Sequence, residues 1–158
     1  MFILNQHELT KNCTSDEEKR TQLIDGLRLS LRACGNLLLC CMPGPTGVPG
    51  WERPAPFARV WCLFEVFVAI KEEVTVIVQL GSHDMTEFRV ALNTTGLERV
   101  NKVLAGLDAR DAQASVESDK GMIMSDIEEA VGMEEFNRRV REGMLAEFRR
   151  IATRASMR

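Results

Sequence analysis

The stretch Trp51-Glu-Arg-Pro-Ala-Pro-Phe-Ala-Arg-Val-Trp-Cys-Leu-Phe-Glu65 runs a proline-stiffened loop into a helix that is apolar almost all round. From Phe57 to Ile70 only Arg59 and Glu65 are not apolar, so the helix has no solvent face and is expected to be buried. A carboxylate in such a helix must be paired, hydrogen-bonded or protonated, because an isolated buried charge is costly. Acids held in that way concentrate at functional sites, which makes Glu65 the first candidate for chemistry. Arg59 falls at the start of the helix, where the dipole disfavours a cation, and so calls for an anionic partner, either a carboxylate or a ligand phosphate.

Working outward, the chain alternates strand and helix. Phe2-Ile3-Leu4 is an apolar strand ending in Asn5-Gln6-His7, and Ser15 to Glu18 spells a capping box. Leu23, Ile24, Leu27 and Leu31 then recur at helical spacing up to Gly35. Leu37 to Met42 is an unbroken apolar run that suits a strand covered on both faces, with Cys40 and Cys41 as small core residues. All five prolines lie between Pro43 and Pro56, so that segment is a stiff loop. Val74 to Leu80 is a β-branched strand, and Ser82 and Asp84 can cap a helix that carries Phe88, Ala91 and Leu92. Asn93 to Gly96 interrupts the helical period, which Leu97, Val100 and Leu104 continue, and Leu107 to Ala114 is a short strand or a loop. Two amphipathic helices close the chain, one on Ile123, Ile127 and Val131, the other on Phe136, Val140, Met144, Phe148 and Ile151.

This order predicts an α/β fold with a parallel sheet of about three to four strands flanked by helices and a C-terminal helical pair. In such sheets ligands bind beyond the carboxyl ends of the strands. That rim gathers Asn5-Gln6-His7, the Pro43–Pro56 loop, Gly81-Ser82-His83 and the start of the Glu65 helix. Asn5 and His7 there are either loop caps or ligand contacts.

Bulk composition narrows the function. The chain has 158 residues, 45% of them apolar, enough for one domain with a real core. The net charge of −3 does not suit a nucleic-acid binder. From Met133 to Arg158 seven arginines face four glutamates, a basic segment best read as a solvated helix face. Five cysteines without a C-x-x-C pair, with only His7 and His83 to complement them, support neither a zinc site nor a disulfide framework, so no metal is expected. The longest nearly apolar run, Val60 to Ile70, is too short to span a bilayer, and no secretory leader is expected. A cytoplasmic protein follows as the expectation. No phosphate-binding glycine motif is present.

Trp61-Cys62-Leu63-x-Glu65-Val66, followed by Ile70, resembles the W-C-L-x-E-L segment that opens the third helix of Toll/interleukin-1 receptor (TIR) domains of the plant type. A longer pattern, W-x-x-P-x-P-x-x-R-x-W-C-L-x-E, is similar to that of a poorly characterised TIR-like group; it is met here by Trp51, Pro54, Pro56, Arg59, Trp61, Cys62, Leu63 and Glu65, with Asn5-Gln6-His7 upstream. The resemblance implies a flavodoxin-like TIR domain over residues 1–110, lacking its first strand and helix, with residues 111–158 as a helical extension. It also implies a signalling or interaction module that assembles with like domains or other signalling proteins, and needs no cofactor. In enzymatic members the matching glutamate cleaves nicotinamide from NAD+. By that resemblance Glu65 would be catalytic, Trp51 and Trp61 would be walls of the ligand site, and Arg59 would meet a phosphate or a partner; Asn5 and His7 are ligand-binding candidates from their place on the rim. The glycine loop usual after the second strand is replaced here by His7 to Thr14.

Overall fold

The computed structural model describes residues 15–43 and 47–156. The expected strand Phe2–Leu4 and the candidate residues Asn5 and His7 lie outside the described residues. Within them the chain is α/β, with six α-helices and a two-stranded parallel sheet. Helix α1, Asp16–Cys34, starts at the expected capping box, in which the Glu18 N–H donates to Ser15 Oγ at 3.1 Å and the Ser15 N–H to Glu18 Oε2 at 3.3 Å. It ends at Gly35, whose left-handed φ of 67° lets its N–H reach Leu31 O at 2.8 Å.

Strand β1, Asn36–Cys41, pairs in parallel with β2, Thr75–Leu80, in a register that sets Leu38 opposite Ile77 and Cys41 opposite Leu80. Helix α2, Val60–Lys71, makes the crossover between them. It begins later than the apolar run does. Phe57 belongs to a short 3₁₀ turn, Ala55–Ala58, and Arg59 is the extended N-cap residue (φ −119°) rather than part of the first turn. The prolines cause this shift, since Pro54 and Pro56 favour extended and turn geometry over a continuous α-helix. Seven of the twelve residues of α2 are buried, as its composition demands.

After β2 come α3, Ser82–Thr95, α4, Glu98–Ala105, and then a 3₁₀ turn at Ala109–Asp111. The segment Leu107 to Ala114 is therefore a turn and not a strand, but one bridge ties it to the head of α2. The Val60 N–H donates to Gln113 O at 3.0 Å and the Gln113 N–H to Ala58 O at 2.9 Å. Helices α5, Glu117–Ala130, and α6, Met133–Ser156, complete the chain. The α6 stripe Phe136, Val140, Met144, Phe148 and Ile151 is buried as its spacing predicts, with Phe136 edge-on to Phe67 of α2 at 6.1 Å.

The two sheet faces differ. Leu39 and Cys41 are buried, whereas Leu38 and Met42 are 55% and 53% exposed, and Cys40 is exposed too. The expectation of a strand covered on both faces, with both cysteines in the core, is thus corrected. Alternation sends neighbouring side chains to opposite faces, and the buried core gathers on the side of Leu39 and Cys41. The outer edge of β2 is closed by α6, where the Val78 N–H donates to Glu147 Oε2 at 3.2 Å. Such a contact satisfies an edge donor and blocks strand addition there.

The basic tail is partly neutralised by its own glutamates. Arg138 pairs with Glu135 and Glu142, Arg139 with Glu135, and Arg150 with Glu147, all along one helix. This is the arrangement of a solvated face. Among the described residues no helix is long and apolar enough to cross a membrane.

One buried polar group holds the C-terminal helices to the rest. Asn137 is fully buried; its Oδ1 accepts the Ala109 N–H at 2.9 Å and its amide donates to Asp108 Oδ1 at 2.9 Å. Asn137→Ala should lower the unfolding free energy by about 1–3 kcal/mol in urea titrations, because it strands a buried N–H without a partner. A change near zero would mean that the amide is not needed there.

Candidate functional site

Glu65 sits in the second turn of α2, half-buried beside Cys62 and Arg59. Burial raises its carboxyl above the ordinary value of 4.5, and the nearby Arg59 charge only partly opposes this. No hydrogen bond or ion pair joins Glu65 to another described residue. Cys62 is a poor nucleophile in this setting. Burial and the Glu65 charge both raise its thiol, with Arg59 pulling the other way, so the reactive thiolate is disfavoured.

The raised Glu65 carboxyl has a defined effect on stability. Below pH 4.5 the group is protonated in the folded and the unfolded chain alike, and it costs nothing. As pH rises past that value the unfolded chain ionises first, so stability falls until the folded carboxyl ionises as well. Glu65→Gln should therefore be more stable than the parent at neutral pH, with the advantage vanishing below about pH 4.5. Urea midpoints at the two pH values measure it, and a less stable variant at neutral pH would reveal an anionic Glu65 that has a partner.

Of the other candidates, Arg59 and Trp61 stand at the head of α2, whereas Trp51 packs with different partners. Trp61 is half-buried; its indole N–H donates to Asp119 Oδ2 on α5 at 3.0 Å and its ring meets Phe64 edge-on at 6.0 Å. Trp51 is 1% exposed, so it is a core ring. It packs edge-on against Phe88 at 5.5 Å, and the Arg99 guanidinium lies 5.4 Å from its centroid. Arg99 is itself held by Glu52 at 2.6 Å. Arg59 is exposed at the head of α2.

Glu65 lines neither of two hollows that described residues form. One, of about 360 Å³, lies between α1, α2 and α5, with Ile24, Phe64 and Phe67 as its floor and Arg28, Lys71 and Glu129 among its polar residues. The other, of about 50 Å³, lies between α2, the sheet and α6, against Val66, Val78 and Met144.

The residue that sequence reasoning underrated is Asp84. It was expected as a helix cap, but the N-cap of α3 is Gly81 and no side chain caps it. Asp84 is instead fully buried at the carboxyl end of β2, where its Oδ2 accepts the Gly50 N–H at 3.1 Å. Its Oδ1 is buried with no hydrogen-bond partner, and so is the indole nitrogen of Trp51. The Cys41 thiol, close enough to feel the Asp84 charge, is pushed up to about 12, first by burial. The only sequence signal for this cluster was its place on the rim, where the proline-rich loop returns to the strand ends. A buried acid of this kind reads in sequence like any polar residue opening a helix.

No protein-family profile, no curated protein and no solved structure matches this chain.

Proposed function

We propose that this chain is a TIR-like module, an intracellular signalling or interaction domain that works by assembling with like domains. In this reading β1 and β2 are two strands of a flavodoxin-like sheet of about three to four, and the W-C-L-x-E helix is its crossover. The observation that carries the proposal is the uncovered apolar face of β1, where Leu38 and Met42 stay more than half exposed. Apolar side chains grouped on one sheet face favour burial against another protein surface. The element order from α1 to β2 and the eight matched positions from Trp51 to Glu65 support the family reading.

Light scattering over a concentration series tests it. The apparent mass should rise with concentration, and Leu38→Lys together with Met42→Lys should suppress the rise. A strict monomer at high concentration would count against the module.

A second reading, NAD+ glycohydrolysis at Glu65, is favoured by one feature: an acid in an apolar helix without a partner among the described residues. Cleavage of the nicotinamide–ribose bond passes through an oxocarbenium-like state that an ionised carboxylate stabilises. Nicotinamide release from NAD+ should then be lost in Glu65→Ala. Equal rates from parent and variant, or none from either, would exclude it.

A further inference from the structure

The first two turns of α3 carry His83, Asp84 and Glu87, with Glu87 at i+4 from His83 and at i+3 from Asp84. Each offers one ligand atom, an imidazole nitrogen or a carboxylate oxygen, and these atoms all lie within 4.8 Å of one another. His83 Nε2 and Glu87 Oε1 already approach to 3.9 Å. Asp84 adds an independent sign of a missing partner. It is fully buried, its Oδ2 is used by the Gly50 N–H, and Oδ1 has no donor among the described residues. A buried carboxylate oxygen left bare is costly and asks for a proton donor, a water or a cation.

We infer that His83, Asp84 and Glu87 bind a divalent first-row transition-metal ion, with Zn²⁺ the closest match. One imidazole and two carboxylates form a borderline donor set that suits Zn²⁺ better than Ca²⁺ or Mg²⁺, which take oxygen ligands. Three protein ligands leave a fourth tetrahedral position for water. Tetrahedral bonds of about 2.0–2.2 Å require the ligand atoms to draw together by up to about 1.5 Å. His83 and Glu87 are exposed enough to swing inward, while the hydrogen bond from Gly50 anchors Asp84. The positive end of the helix dipole opposes a cation, but its half-charge is outweighed by two full carboxylates. Cys41 is fully buried in the core and is not among the groups whose ligand atoms converge there. The expectation of no metal considered cysteine and histidine spacing alone. This site draws on carboxylates, and its buried member is identified by tertiary contacts. The inference stands apart from the assembly and NAD+ readings.

Calorimetric titration of Zn²⁺ into the full chain, stripped with chelator, provides the test. Cys13, Cys34 and Cys40 are replaced by serine so that these thiols do not take up the metal. A single site should appear, and His83→Ala and Glu87→Ala should each weaken it by at least about 10-fold. Both side chains are exposed, so circular dichroism should show both variants folded. Co²⁺ bound in place of Zn²⁺ should give ligand-field bands without thiolate charge transfer. Absent binding in the serine background, or binding unmoved by both substitutions, would overturn the site and leave Asp84 Oδ1 to a buried water.

Discussion

Phe88→Ala is expected to cost about 3–5 kcal/mol, a large share of what holds a domain of this size together. Phe88 is fully buried and its ring joins two others, Trp51 edge-on at 5.5 Å and Phe148 at 5.4 Å. It therefore couples three parts of the chain: the rim loop, α3 and the long terminal helix α6. Truncation removes the transfer free energy of a ring and leaves a cavity that these partners cannot collapse into, since each is fixed on a different element. The two aromatic contacts are lost as well, each worth about 0.5–1.5 kcal/mol beyond area burial. Urea unfolding followed by tryptophan fluorescence measures the loss directly, because Trp51 is one of the neighbours. Phe88→Leu should recover much of it by refilling the volume. A loss below about 1 kcal/mol for alanine would mean that the three elements are not packed through this ring.

Gly50→Ala is expected to be nearly as damaging, about 3 kcal/mol or more, for a different reason. A Cβ at position 50 would press on the Cys41 carbonyl oxygen and stand 2.6 Å from its carbon and 2.7 Å from the Met42 carbonyl carbon. These are backbone atoms at the end of β1, which cannot rotate away as a side chain would. The loop must lift, and the hydrogen bond from the Gly50 N–H to Asp84 opens with it, leaving a buried carboxylate without that donor. Gly121→Ala is the internal contrast. It lies in α5 with nothing within 4 Å of the added methyl, so it should stabilise by about 0.5–1 kcal/mol through helix propensity alone. Opposite signs in thermal or urea unfolding would confirm that close approach, and not the loss of glycine as such, sets the cost. A neutral Gly50→Ala would show that the loop is not seated on the strand end.

The same substitution bears on the metal inference, because Gly50 holds Asp84 in place. It should weaken Zn²⁺ binding without removing a ligand.

Much of the architecture was legible because it rests on local rules. The capping box at Ser15, the glycine stop at Gly35, the β-branched strand to Leu80 and the period-3.6 stripe of α6 each encode an element within a few residues. The proline cluster was legible as a stiff loop for the same reason, although it also delayed the start of α2 to Val60. What could not be read was which neighbour each element would meet. Leu38 and Leu39 are identical residues side by side, yet one is 55% exposed and the other 4%, because only one sheet face gathers the core. The resemblance implied that Trp51 lines a ligand site, yet it is a core ring, because Phe88 and Arg99 come from elements more than thirty residues away to cover it.

Within the described residues, the sequence by itself determined the order of the main helices and the two strands, the burial of the Trp61 helix and the presence of an acid within it. Those are consequences of periodicity and side-chain chemistry over one or two turns. Tertiary structure alone decided that Glu65 has no partner among the described residues, that α6 closes the edge of β2 through Glu147, and that Asp84 is buried with one oxygen bare. Each of these depends on contacts between residues far apart in the chain. Local propensity carries no record of which distant groups will share a dry interior, and it is there that an unpaired charge or a missing donor acquires its cost.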